Sequence, residues 1–130
     1  MNIPILLTPK CDVQYIYAED TLQNGMNCLR GTGYTAIPVI TATGMYAGSL
    51  SEGDILWYLA DNGLSADTLR ETPLRAALNQ SRNRAVPITA PMDEVLEKSM
   101  QQNFIPVVDD RGAFVGIVTR KKIIEKIYHS

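Results

Sequence analysis

Two short stretches carry the side chains best suited to hold a small polar molecule. In Ser51-Glu52-Gly53-Asp54 a hydroxyl precedes a carboxylate by three residues, and Ile55 and Leu56 follow. An ionised carboxylate only accepts hydrogen bonds, and it can take two hydroxyl protons from a ribose. If a helix starts at Ser51, its free backbone N–H groups suit a phosphate oxygen, and the helix end favours the Asp54 charge. The same Ser-x-x-Asp spacing also makes a capping box, in which both side chains serve only their own helix. In Thr119-Arg120-Lys121-Lys122 the hydroxyl is kept, but lysine stands where the carboxylate stood. Lysine only donates, so it cannot receive hydroxyl protons. With Lys126 nearby, this cluster either holds phosphate or is a solvated helix start.

Catalysis finds little support. The one histidine, His129, is next to the last residue, a poor place for a general base that must be held within hydrogen-bond reach. Neither Cys11 nor Cys28 has a histidine near it in sequence. Glu52 with Asp54 lies on a helix start and Asp109 with Asp110 in a turn, so neither pair makes an acid/base or metal arrangement. There is no Gly-rich nucleotide loop with its lysine. The expectation is a non-catalytic protein with no metal.

What positions the two stretches emerges when the chain is laid on itself. One shift of 68 residues, with no gap, matches Pro38 to Pro106, Gly44 to Gly112, Gly48 to Gly116, Ser51 to Thr119 and Ile55 to Ile123. Each copy reads as strand, turn, strand, helix. Val39-Ile40 and Val107-Val108 are β-branched pairs suited to a buried sheet. Gly44 and Gly112 fall where a tight turn needs positive φ, and Asp109 to Gly112 is an especially clear turn. Gly48 and Gly116 sit in mid-strand, which weakens a strand unless another group must approach closely. Ser51 and Thr119 occupy helix N-cap positions. Ile55, Leu56 and Leu59, then Ile123, Ile124 and Ile127, are spaced to face a sheet.

Upstream, residues 13–18 predict a short strand, and Asp20-Thr21 caps a helix carrying Leu22, Met26 and Leu29 that ends near Gly31 or Gly33. In the second copy residues 85–90 predict the strand, and a helix starts at Asp93. Matching Ile16 to Ile88 needs a shift of 72, so the second copy's first helix is expected to be about one turn shorter. Residues 64–84 join the copies, with a helix starting at Thr72-Pro73 and a polar loop over 81–84. A half of this length has a marginal core. The fold class is therefore α/β (α+β): two β-α-β-β-α units packed sheet to sheet about a pseudo-twofold axis. The expected boundaries are residues 7–63 for repeat 1, 64–84 for a linker whose helix contributes to repeat 2, and 85–130 for repeat 2.

Of the 130 residues, 45% are apolar and 20% charged, enough for a core and too little charge for gross disorder. The formal net charge of −2 gives no general reason to expect nucleic-acid binding. Residues 1–66 hold two Lys/Arg against six Asp/Glu, whereas residues 67–130 hold ten against eight. Two isolated cysteines make neither a disulfide framework nor a metal signature and are expected to be buried or half-buried. No basic leader and no run of about 20 apolar residues is present. A soluble cytoplasmic protein without membrane insertion is the expectation.

The segments "YTAIPVITATGMYAGSLSEGDIL" and "NFIPVVDDRGAFVGIVTRKKII" resemble the two halves of a CBS-domain pair, the regulatory module named after cystathionine β-synthase. The resemblance runs from about Leu7 to Tyr128, and it covers no attached enzyme, channel or DNA-binding domain. It implies a disc-like stand-alone module with two clefts between the repeats. It also implies a regulatory, ligand-sensing role for an adenosine-containing ligand: AMP, ADP, ATP, S-adenosylmethionine or a cyclic dinucleotide, none tightly required as a cofactor. The first cleft would use Ser51 and Asp54 with Val86, Pro87, Ile88, Phe104, Ile105 and Pro106. The second would use Thr119, Arg120, Lys121 and Lys122 with Tyr15, Ile16, Tyr17, Tyr34, Thr35 and Ile37; its lysine departs from the family pattern and puts ribose recognition in doubt there. Discs of this family pair into homodimers and act on a regulated protein, here unidentified. The alternative is a structural or protein-interaction dimerisation module without a small ligand, motivated by Trp57, Tyr58 and Tyr128.

Overall fold

The computed structural model describes residues 1–129, which form two compact units: residues 14–81, and residues 1–13 together with 82–129. In the first unit β2 (Ile16–Tyr17) pairs in parallel with β3 (Ala36–Ile40), which pairs antiparallel with β4 (Tyr46–Ser51). Helices α2 (Leu22–Thr32), α3 (Glu52–Asn62) and α4 (Ala66–Glu71) follow the strands. In the second unit the sheet order is β1 (Thr8–Pro9), β7 (Phe114–Thr119), β6 (Phe104–Val108), β5 (Val86–Pro87). Its helices are α1 (Ile3–Leu6), α5 (Met92–Gln101) and α6 (Arg120–Tyr128).

The local signals account for these elements. Thr21 Oγ1 accepts from Asn24 N at 3.1 Å to start α2, and Gly33 ends it in a left-handed conformation. Ile37, Val39 and Leu50 from the strands meet Leu22 and Leu29 of α2 and Ile55 of α3 in the first core. Val107, Ile105 and Val118 do the same with Val95 and Ile123 in the second. Burying such a side chain contributes roughly 1.5–3 kcal/mol. Both hairpins are bulged at matching positions, between Val39 and Ile40 and between Val107 and Val108. The second hairpin turn is fixed by Asp109, whose carboxylate accepts from Arg111 N and Ala113 N, both at 2.9 Å.

Several expectations need correction. The joining helix does not complete the second repeat. Residues 74–77 form a single 3-10 turn whose Leu74 is buried in the core of the first unit. The second unit takes its equivalent from the chain start, where Ile3 and Leu6 of α1 enter its core. Gly48 and Gly116 explain the exchange. A Cβ on Gly48 would lie 2.6 Å from the Asn79 carbonyl oxygen, and one on Gly116 would overlap that of Thr8. Each strand glycine thus admits a crossing segment. Ser49 and Asn79 exchange backbone bonds at 3.0 Å, and β1 pairs with β7 at Thr8–Ile117. The pairing of Ile16 with Ile88 was displaced by two residues, because Ile16 faces Val39 as Val86 faces Val107. Strand side chains repeat every two residues, so a two-residue slip keeps the same apolar face. Accordingly α5 has 10 residues against 11 in α2, not a turn fewer. It starts at Met92 rather than Asp93. Residues 81–84 form a loop as expected, but its Asn83 is buried and donates to Phe104 O at 3.1 Å. Cys11 is exposed and Cys28 half-buried. Of the apolar residues expected to face a sheet, Ile55 and Ile123 are buried, Leu59 partly so, and Leu56, Ile124 and Ile127 are exposed.

Two outcomes follow from this packing. Gly116→Ala drives a methyl group into the Thr8 carbonyl, so it is expected to release β1 and speed amide exchange at Thr8 and Ile117 while leaving residues 14–81 protected; unchanged exchange would refute the close approach. The backbone donors hold the Asp109 carboxyl below its ordinary value. A carboxyl whose folded value is depressed stabilises the fold above its unfolded value of about 3.9 and loses that contribution as pH falls through the folded value. The Tm gap between the native chain and Asp109→Ala should therefore be full at neutral pH and shrink in acid below that range, which thermal melts across pH would show.

Candidate functional site

Helix α3 starts where β4 ends, so the pairing of Ser51 with Ala36 fixes the position of the helix N-terminus. Ser51 and Asp54 form the full capping box. Asp54 N donates to Ser51 Oγ at 3.1 Å, and Ser51 N donates to Asp54 Oδ2 at 2.8 Å. Both residues are half-buried. The capping reading of these residues is therefore correct, but it does not exhaust the carboxylate, which has about four lone-pair sites.

Sequence reasoning missed one neighbour. Asn79 Nδ2 donates to Asp54 Oδ1 at 3.4 Å, while its own Oδ1 accepts from Ser81 N and Ser81 Oγ. The crossing at Gly48 carries Asn79 to this place. A signal existed: a shift of 71 aligns Leu78-Asn79 with Leu7-Thr8, though only the structure shows both segments crossing a glycine.

In the second unit Thr119 Oγ1 accepts from Lys122 N at 3.0 Å, but lysine returns no bond to the cap backbone. The box is half made. Arg120 is bonded to the protein at two points: its Nε donates to Ser99 O at 2.6 Å, and its N donates to Asn103 O at 3.0 Å. It ties the last turn of α5 to the start of α6. Lys121 and Lys122 are exposed.

The remaining expected site residues divide by burial. Ile16 and Ile37 belong to the first core, and Val86 and Ile105 to the second, so only their main chain could meet a ligand. Phe104 and Pro106 are also buried. Pro87, Tyr17, Tyr34 and Thr35 are exposed, and Ile88 and Tyr15 are half-buried. Tyr15 and Tyr17 meet edge to face with ring centroids 5.8 Å apart, and a hydrogen bond with Tyr17 raises the Tyr15 phenol above its ordinary pKa. Among the described residues no group of three or more His, Cys, Asp or Glu could hold a metal ion, and no helix is long and apolar enough to cross a membrane.

No curated protein matches the chain. Solved structures do. CbpB in complex with c-di-AMP is 26% identical, with a TM-score of 0.94 over 99% of this chain and 85% of that one. A CBS domain protein from Streptococcus pneumoniae TIGR4 is 27% identical, with a TM-score of 0.88 over 97% and 86%. CbpB from Streptococcus agalactiae is 28% identical, with a TM-score of 0.89 over 95% and 77%. The family model for the CBS domain matches twice, at residues 6–61 and 70–129, and the two matches together take in nearly every element described above. The chain belongs to the CBS-domain family as a tandem pair.

Proposed function

We propose that the chain is a non-catalytic regulatory module that senses an adenosine-containing nucleotide, with c-di-AMP the first candidate. The observation that carries this reading is the likeness, across 99% of the chain, to a CbpB structure that holds c-di-AMP. The chemistry of the two helix starts supports it. In the first unit Ser51 and Asp54 present a small hydroxyl and a carboxylate beside free N–H groups, the combination that reads a ribose hydroxyl. In the second, Lys121 and Lys122 present two exposed cations and no carboxylate at the helix start. They suit the phosphates of the same ligand class and not its sugar. The exposed Pro87 and the half-buried Ile88 are proposed as apolar contacts for a base, with the main chain of Val86, Ile105 and Pro106 beside them. The free cysteines fit a reducing, cytoplasmic setting.

Self-association is the second part of the proposal. Large apolar side chains stand in solvent on α3 and α6, Trp57 and Tyr128 foremost, at 72% and 82% exposure. Such surfaces commonly mark protein contacts. The chain is proposed to pair with a second copy and to pass the ligand signal to a regulated protein.

Calorimetry with c-di-AMP, AMP, ATP and S-adenosylmethionine tests the sensor. A saturable heat is expected for at least one; none at millimolar ligand refutes the nucleotide reading and leaves a pure interaction module. Asp54→Ala should weaken a ribose ligand by about 1.5–3 kcal/mol. Asp54→Asn keeps an acceptor for the cap, so a folded Asn variant with equally poor binding assigns the loss to the ligand rather than to the helix.

A further inference from the structure

What Asp54 can accept depends on how the plane of its carboxylate is set. The capping box settles one oxygen, since Oδ2 accepts from Ser51 N at 2.8 Å. The other oxygen, Oδ1, is met from outside the helix by Asn79 Nδ2 at 3.4 Å. That is long for such a bond, so it sets direction more than it adds strength. Asn79 is itself fixed. Its N and O exchange bonds with Ser49, both at 3.0 Å. Its Oδ1 accepts from Ser81 N at 3.0 Å and from Ser81 Oγ at 3.1 Å. A backbone N–H only donates, so the amide oxygen must lie on the Ser81 side and the NH2 group must face Asp54. The second unit offers a comparison. There the crossing puts Thr8 opposite Ile117, the position that matches Ser49, and Lys122 stands for Asp54. Amide and carboxylate are present together in one repeat and replaced together in the other.

We infer that Asn79 is a positioning residue for ribose recognition: its amide holds the plane of the Asp54 carboxylate in the setting that accepts a ribose hydroxyl. This rests on the nucleotide reading above and adds the residue that makes Asp54 selective. A neutral donor suits the task. It orients the acceptor without cancelling its charge, which a lysine or arginine at the same place would do through an ion pair.

The probes are c-di-AMP and its 2′-deoxy analogue, titrated by calorimetry. The native chain should prefer c-di-AMP at least about tenfold, because removing the hydroxyl removes a hydrogen bond to a charged group. In Asn79→Ala that preference should fall to about threefold or less, with the deoxy analogue bound about as before. Loss of a merely structural residue would weaken both probes alike; an unchanged preference therefore overturns the inference and leaves nucleotide sensing standing. A native chain that binds both probes equally does the same. A native chain that binds neither overturns the inference too, and the nucleotide reading then stands or falls with AMP, ATP and S-adenosylmethionine.

Asn79→Asp supplies a second readout. It keeps the side-chain size and an acceptor for Ser81, and it sets a second carboxyl against Asp54. Two such close carboxylates share a proton, with one apparent pKa raised above the ordinary range. Below that raised value the introduced carboxyl donates to Asp54 as the amide did; above it the two repel. The affinity of Asn79→Asp for c-di-AMP, relative to native, should therefore drop at least about fivefold between about pH 5 and pH 7.5. The phosphodiesters of c-di-AMP do not titrate in this range. The other charged groups on α3 and the elements packed against it, Glu52, Asp61, Arg30 and Arg75, are the same in both chains. A relative affinity that does not change with pH would show that the side chain of residue 79 does not face Asp54, and would overturn the inference.

Discussion

The architecture depends on two places where a main-chain carbonyl comes too close to a strand for any side chain to stand there. At Gly48 the carbonyl is that of Asn79, and at Gly116 it is that of Thr8. Each crossing supplies what its hairpin lacks: an extra backbone partner on the open side of β4 or β7, and apolar side chains to close the core. Leu74 and Leu78 do this for the first unit, and Ile3, Leu6 and Leu7 for the second. The second unit is consequently discontinuous in sequence and includes the first thirteen residues. The crossing also reaches the chemistry. Asn79 is held to Ser49 by two backbone bonds, and from there its amide approaches Asp54.

The repeat explains why two equivalent helix starts differ so much in character. Ser51 and Thr119 perform the same task, each accepting from the backbone N–H three residues on. At the third position aspartate returns a bond to the cap and lysine cannot. Arg120 then replaces the missing anchorage from another direction, by bonding the end of α5. One repeat thus fastens its helix through a carboxylate that is also a hydroxyl acceptor. The other fastens it through a guanidinium and leaves two lysines in solvent.

Much of this was legible before any coordinates, and the parts that were not share a cause. The gap-free shift of 68 residues placed both hairpins, both turns and both caps, because those features rest on neighbours in sequence. The fate of Leu74 could not be read that way. An apolar residue in a joining segment can dock on either core, and only the crossing at Gly48 decides which. Helix α1 was invisible for a similar reason: four residues with Asn2 as cap give almost no periodicity. The short α4, capped by Ser65, lies within the segment that the sequence offers only as a linker. The slip at Ile88 reflects a real degeneracy, since apolar residues two apart serve a strand equally well. The exposure of Leu56 and Ile124 is not legible in sequence, because helical spacing gives a stripe about 100° wide without saying how much of it the sheet covers.

That uncovered part of the stripe lies on the same helices as the candidate ligand groups, and this has a consequence for regulation. Ser51 and Asp54 open α3, and Leu56 and Trp57 follow within its first two turns. A helix with its i→i+4 bonds intact moves as a rigid piece. A nucleotide held at its first turn and a partner copy held on its outer face would therefore bias the position of one element. Coupling between two sites needs such a shared element, and its size equals the change each ligand makes in the affinity of the other. On the proposed reading, tighter nucleotide binding by the dimer must be matched by tighter dimerisation with nucleotide bound. If α3 instead occupied the same position whatever was bound, the two events would be thermodynamically independent, and the module would bind its ligand without transmitting anything.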